Sequence, residues 1–143
     1  METSPQSPSL LQRLHIAQNQ HDLDAFINCF DPDYVSEQPA HPERAFHGRE
    51  QARKNWAAFF SSMPDFRSEV LRAATVNDTL WAEWRWLGTR VDGTRLEMRG
   101  VTVFGIRDDL IVWGRLYMET VEQTSSGIDE VVRSLTHEPP QEG

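Results

Sequence analysis

Glu83 and Arg85 stand two apart in the run LWAEWRWLGTRV, whose other residues are mostly apolar. Residues two apart on a strand point to the same face. A carboxylate and a guanidinium on one face can do proton chemistry. Glu83 would take or give the proton, and Arg85 would hold it and orient an oxygen-bearing ligand. Burial would raise the Glu83 pKa and the guanidinium would lower it. The same pair also reads as a structural ion pair with neither role, since desolvation offsets most of the attraction between buried charges. His47 is a further candidate for proton transfer near neutrality. It lies with His41 in the breaker-rich stretch PAHPERAFH. Glu37 and Gln38 lead into that stretch, Glu37 as a possible base and Gln38 as a hydrogen-bonding group.

No metal site is expected. His41 and His47 are six apart on a loop, which fits no zinc spacing. No glycine-rich phosphate loop, Cys/His cluster, nucleophile elbow or dinucleotide fingerprint occurs, so the simplest expectation is a site without a cofactor. Net charge is −8, from 14 Lys and Arg against 22 Asp and Glu. That disfavours nucleic acid and anionic membranes, which need a cationic surface. Cys29 is the only cysteine and lies beside Phe26 and Phe30, as a buried inert thiol would. No apolar run reaches the roughly 20 residues of a membrane span, and METSPQSPS is not built like a secretory signal. The expected location is the cytoplasm.

The elements that must position these groups follow from periodicity. One domain suits 143 residues. Residues 1–8 are Ser/Pro-rich and read as disordered, 9–122 as the folded domain, and 123–143 as a polar tail with a possible short helix at 127–135. Leu10, Leu11, Leu14 and Ala17 recur at helical spacing. Asp22 caps a second helix striped by Phe26, Ile27 and Phe30, which Asp31-Pro32-Asp33 should end. Residues 34–38 read as a short strand and 39–47 as a loop. Gly48 opens a third helix faced by Ala52, Trp56, Phe59, Phe60 and Met63. Residues 66–76 read as a strand turning at Asn77-Asp78.

Asp92-Gly93 is a two-residue hairpin signal. Pairing outward from it sets Leu87 opposite Met98, Arg85 opposite Gly100 and Glu83 opposite Thr102. One face is then Trp81, Glu83, Arg85, Leu87, Met98, Gly100, Thr102 and Phe104, the expected pocket wall. The other carries Trp84, Trp86, Val101 and Val103, an apolar patch that predicts a homodimer through the sheet. The turn at 107–109 allows two registers. One pairs Thr102 with Gly114 and turns Leu116 and Met118 inward; the other pairs Thr102 with Arg115 and turns Trp113, Arg115, Tyr117 and Glu119 inward. The first is preferred.

Three segments carry a family resemblance: NQHDLDAFINCFDPDYV, FHGREQARKNW and FGIRDDLIVWGRLYME. With the order helix, helix, strand, helix, four strands, the chain over roughly 9–122 resembles the SnoaL-like, nuclear transport factor 2-like superfamily. The resemblance implies an α+β cone, a curved antiparallel sheet wrapped around about three helices, with an apolar cavity at its wide end. It implies no single activity. The positions that serve ketosteroid isomerases fall on Leu14, Gln38 and Thr102, which cannot do that work. The charged pair of limonene epoxide hydrolases is matched by Glu83-Trp84-Arg85 in reversed order, and their last-strand acid by Leu116.

The expected function is therefore a proton-transfer enzyme acting on a small, apolar, oxygenated molecule: an isomerase, dehydratase, cyclase or hydrolase. Glu83, Arg85 and His47 would be catalytic. Gln38, Trp56, Phe60, Trp81, Met98, Thr102 and Leu116 would bind substrate. A dimeric module that binds a small molecule without turning it over is the alternative, and a dimer with a filled cone is a third reading.

Overall fold

The computed structural model describes residues 9–137. The disorder expected for residues 1–8 and the polar tail beyond 137 lie outside the described residues. Helix α1 (Leu10–Gln20) starts at a reciprocal cap, in which Ser9 accepts from the Gln12 backbone N–H and the Gln12 side chain accepts from the Ser9 N–H. Asp22 caps α2 (Leu23–Ile27) as expected. That helix is shorter than its sequence stripe, and β1 (Phe30–Glu37) begins before Pro32 rather than after it. A proline cannot donate to a ladder, and the pairing of β1 shifts register between Phe30 and Val35. The stretch read as a loop holds a single 3-10 turn (Pro42–Arg44) and a two-residue strand β2 (Phe46–His47). Helix α3 (Arg49–Ser62) follows Gly48, and β3 (Arg67–Val76), β4 (Thr79–Thr89), β5 (Arg95–Arg107) and β6 (Leu110–Thr120) complete the sheet. Helix α4 (Ile128–Thr136) forms where the tail pattern placed a helix.

The six strands run β2-β1-β6-β5-β4-β3. Four pairings are antiparallel; β1 and β6 run parallel, so the sheet is mixed. Helices α1 and α3 pack against β3 and β1. His15 and Asn19 on α1 bond the Ser68 backbone, and the buried Gln18 accepts from the Ser68 hydroxyl at 2.9 Å. His21 stacks on Phe60 at 4.6 Å and bonds the Phe66 carbonyl. His15 and His21 thus fasten helix to sheet. Cys29 is buried and free, and burial pushes its thiol pKa up.

The β4–β5 hairpin corrects the expected register. Its loop has three residues, not two. The Arg90 N–H donates to the Thr94 carbonyl at 2.8 Å and the Gly93 N–H to the Arg90 carbonyl at 2.9 Å, with Gly93 at φ 89°. This is a turn closed by a left-handed glycine. The Asp92 carboxylate locks it by accepting from the backbone N–H and the hydroxyl of Thr94. One extra loop residue moves every pair by one: Glu83 faces Val101, Arg85 faces Arg99, Trp84 faces Gly100 and Trp86 faces Met98. Trp84, Trp86, Met98, Thr102 and Phe104 therefore share the helix-covered face. Glu83 and Arg85 share the outer one with Arg99, Val101 and Val103.

The dimer patch expected from Trp84, Trp86, Val101 and Val103 is thereby divided between two faces. Trp84 and Trp86 are buried in the core. The outer face instead presents Trp81, 48% exposed, together with Val101, Trp113 and Tyr117.

The β5–β6 turn is two residues long, with Asp108 and Asp109 both at positive φ. A register shift between Gly105 and Ile106 then adds one residue to β6, so Thr102 faces Leu116 and Gly100 faces Met118. Leu116 and Met118 point inward, as the preferred register required, although the partner of Thr102 is Leu116 and not Gly114.

Candidate functional site

A cavity of about 230 Å³ opens between α3 and the inner face of the sheet. Its apolar wall is Phe30, Phe46, Trp56, Phe59, Met98, Leu116 and Met118. The aromatic part is continuous: Trp56 lies 4.9 Å from Phe59 and meets Trp86 edge-on at 5.3 Å. The volume is below the roughly 300–1,000 Å³ of sites for drug-sized ligands. It is equivalent to about eight waters at about 30 Å³ each. A wider, open groove of about 640 Å³ adjoins it, sharing Asn55 and Phe59 and lined further by Met63, Val91 and Leu96.

The polar groups of the cavity are few. Trp86 is 4% exposed. Its indole Nε1 is the one buried side-chain nitrogen or oxygen among the described residues without a hydrogen-bond partner. Its neighbour on the strand behaves differently, for Trp84 Nε1 donates to Thr102 Oγ1 at 2.8 Å. On the opposite wall β1 turns Tyr34 and Ser36 inward. Tyr34 is 3% exposed, and burial pushes its pKa up to about 12, a rise that the adjacent Ser36 side chain lessens. The Tyr34 hydroxyl sits where β6 carries no side chain, because a Cβ at Gly114 would come within 2.6 Å of it. At the mouth the Arg44 Nη1 donates to Gln38 Oε1 at 2.8 Å. Asn55 on α3 completes the set and accepts from Gln51 at 2.8 Å.

Tyr34 and Arg44 are the titratable side chains in this lining; it contains no Asp, Glu or His. Tyr34 stays protonated over the ordinary pH range and acts as a neutral donor. The cavity can hold and polarise an acceptor oxygen against a largely apolar wall. It offers no base poised near neutrality. Among the described residues no group of three or more His, Cys, Asp or Glu is placed to hold a metal ion.

Of the residues expected to bind substrate, Gln38, Trp56, Met98 and Leu116 line the cavity. Phe60 packs beside it against Phe26, Trp56 and Phe66. Thr102 is buried and occupied by Trp84, and Trp81 stands on the outer face. The three residues expected to be catalytic lie outside the cavity. Glu83 pairs with Arg72 at 3.1 Å, and Arg85 with Glu97 at 2.9 Å and Glu69 at 3.5 Å. They are links in a half-exposed lattice across strands, of a kind worth about 0–1 kcal/mol per pair. His47 is exposed on β2 opposite Val35, which itself faces out. Glu37 also turns outward, to Arg115 at 3.1 Å.

The one-residue shift of β5 explains most of the difference, since the expected register set Met98 and Thr102 beside Glu83 and the observed one sets them on the face of the tryptophans. Tyr34, Ser36, Arg44, Asn55 and Trp86 were missed as site residues. For Trp86 a signal existed: two tryptophans two apart opposite Gly100 and Met98 are a core pattern, provided the loop is counted as three residues.

A SnoaL-like domain model matches residues 11–113. No curated protein sequence matches the chain. Several solved structures share the fold. IdmH from Streptomyces antibioticus, described as a putative polyketide cyclase, is 21% identical, with 77% of this chain and 89% of that one covered at a TM-score of 0.67. A hypothetical protein from Catenulispora acidiphila with a ketosteroid isomerase-like fold, in complex with trimethylamine, is 18% identical over 78% and 86% of the two chains, TM-score 0.67. A Mycobacterium tuberculosis protein in complex with estradiol-17beta-hemisuccinate is 18% identical over 78% and 94%, TM-score 0.65.

Proposed function

Because this chain belongs to the SnoaL-like domain family, we propose that its interior cavity is the working site and holds a compact, mostly apolar molecule through one acceptor oxygen. The carrying observation is that Trp86 lines the cavity and that its buried indole N–H has no hydrogen-bond partner. A buried donor left unsatisfied costs about 1–3 kcal/mol. A ligand carbonyl or ether oxygen would recover that cost, while the aromatic wall takes the hydrocarbon. Two relatives of the same fold are in complex with small molecules, one an amine and one a steroid hemisuccinate.

Binding is the reading the lining supports best, because general acid–base catalysis needs a group that titrates near the working pH. A second reading has specific support. Tyr34 and Trp86 are both buried neutral donors of the cavity lining, and such donors stabilise an oxygen that gains negative charge. A cyclisation or isomerisation that proceeds through an enolate-like oxygen would use them without a side-chain base. The outer face, with Trp81, Val101, Trp113 and Tyr117, is in this reading the seat of a second copy. Light scattering at micromolar concentration would then return about twice the chain mass, and a monomer there would exclude this seat.

Acetophenone and ethylbenzene test the oxygen, since they have nearly the same shape and only one carries an acceptor. In Trp86→Phe the affinity for acetophenone should fall about 5–10-fold, the worth of one buried neutral hydrogen bond, with ethylbenzene nearly unchanged. Calorimetry that finds equal losses for both, or no binding of either to the native protein, would remove the proposal.

A further inference from the structure

Arg44 is the only charged side chain in the lining of the interior cavity. Arg13, Arg53, Arg67, Arg72, Arg85 and Arg115 each pair with a carboxylate. Arg44 meets instead the neutral amide of Gln38 at 2.8 Å, and among the described residues no Asp or Glu lies within ion-pairing distance of it. The amide holds the guanidinium without neutralising it.

The position is also built. Gln38 follows β1, its carbonyl accepts from the His41 N–H at 2.7 Å, and the His41 carbonyl accepts from the Arg44 N–H at 2.9 Å. The His41 ring is tied to Glu119 near the end of β6 at 2.9 Å. A short 3-10 turn strapped at both ends thus carries a cation to the cavity mouth. A guanidinium held in place loses less freedom on pairing with an anion than a free surface arginine does. It matches a carboxylate with two parallel N–H donors.

Resting on the reading that the cavity binds a compact oxygenated molecule, we infer that its ligand is a small carboxylic acid. The carboxylate sits on Arg44 at the mouth, the hydrocarbon body lies against Trp56 and Phe59, and a second, neutral oxygen reaches Trp86. A keto acid with a short apolar body has these three parts. Arg44 selects the charge of the ligand, and the aromatic wall limits its size.

The probes are 3-benzoylpropionate and its primary amide, which share the ketone and the phenyl ring and differ in charge at one end. The native protein should bind the acid at least about tenfold more tightly than the amide, a charge-assisted pair against a neutral one. The preference should shrink as salt rises. In Arg44→Gln the acid should fall to the level of the amide, the amide should stay where it was, and Arg44→Lys should restore part of the difference. Arg44 is exposed, so these variants should keep the native melting temperature, which circular dichroism checks. Equal binding of acid and amide by the native protein would overturn the inference while leaving the cavity reading intact, provided the amide still depends on Trp86. A preference for the acid that survives in Arg44→Gln would overturn it equally. Failure of both probes to bind would remove the cavity reading and this inference together.

Discussion

Gly100→Ala should cost the protein roughly 3–5 kcal/mol, combining an overpacked contact with an unfavourable backbone shift. A Cβ at this position would overlap the Tyr117 carbonyl oxygen and lie 2.8 Å from the Met118 Cα. Both are backbone, held in the ladder between β5 and β6. A flexible side chain could swing away; a strand bonded along its length cannot. Gly100 pairs with Trp84 on one side and Met118 on the other. Displacing β6 there disturbs the largest fully buried side chain and a residue of the cavity wall at once. The melting temperature should drop by about 10–15 °C for a domain of this size. Gly127→Ala is the matched control, because a Cβ there meets nothing within 4 Å. It should change stability by no more than about 0.5 kcal/mol. Urea melts of the two variants side by side decide the matter. Equal effects would mean that the close approach of β5 and β6 is not a constraint.

Alkaline pH should weaken the fold through Tyr34. Its ordinary pKa of 10.0 is pushed up to about 12 by burial. The folded chain therefore holds the phenolic proton more tightly than the unfolded chain does. The stabilising contribution is complete below pH 10 and is lost as pH rises through 12. Two pKa units correspond to about 3 kcal/mol over that window. Tyr34→Phe retains the ring and removes the titration, so its stability should fall less steeply between pH 10 and 12. Urea melts across that range measure the difference in slope. Parallel profiles for the two proteins would show that the phenol does not titrate late. The same late titration lets Tyr34 serve the cavity as a donor throughout the neutral range.

The helices, their order and their caps were legible in the sequence because they depend on nearby residues. Asp22 and Gly48 each stand where a helix begins. The family likeness was legible too, since it rests on the order of elements. Which face a strand residue takes was not, because it depends on loop length counted to a single residue. Asp92-Gly93 fits a two-residue loop and equally the last two positions of a three-residue one. Asp92 decides by bonding to Thr94 rather than turning alone. At the other hairpin the expected inward set of β6 was right for a different reason, a tight turn followed by a register shift. Gln38, Trp56, Met98 and Leu116 could be read as cavity residues because three of them do not depend on the β4–β5 register, and Met98 belongs to the inner face on either count. Glu83 and Arg85 could not be placed correctly once their partners were misassigned.

The register shift between Gly105 and Ile106 carries a consequence for descent. Downstream of it, Leu116 and Met118 enter the cone, while Arg115, Tyr117 and Glu119 remain outside. Loss of one residue from β6 beyond the shift, with the turn and the shift both retained, would exchange the two sets. The carboxylate that this cavity lacks is therefore already encoded in Glu119, one position out of phase. Within such a lineage, a binding pocket and a proton-transferring one can be separated by a single codon of length, with no substitution at any site residue.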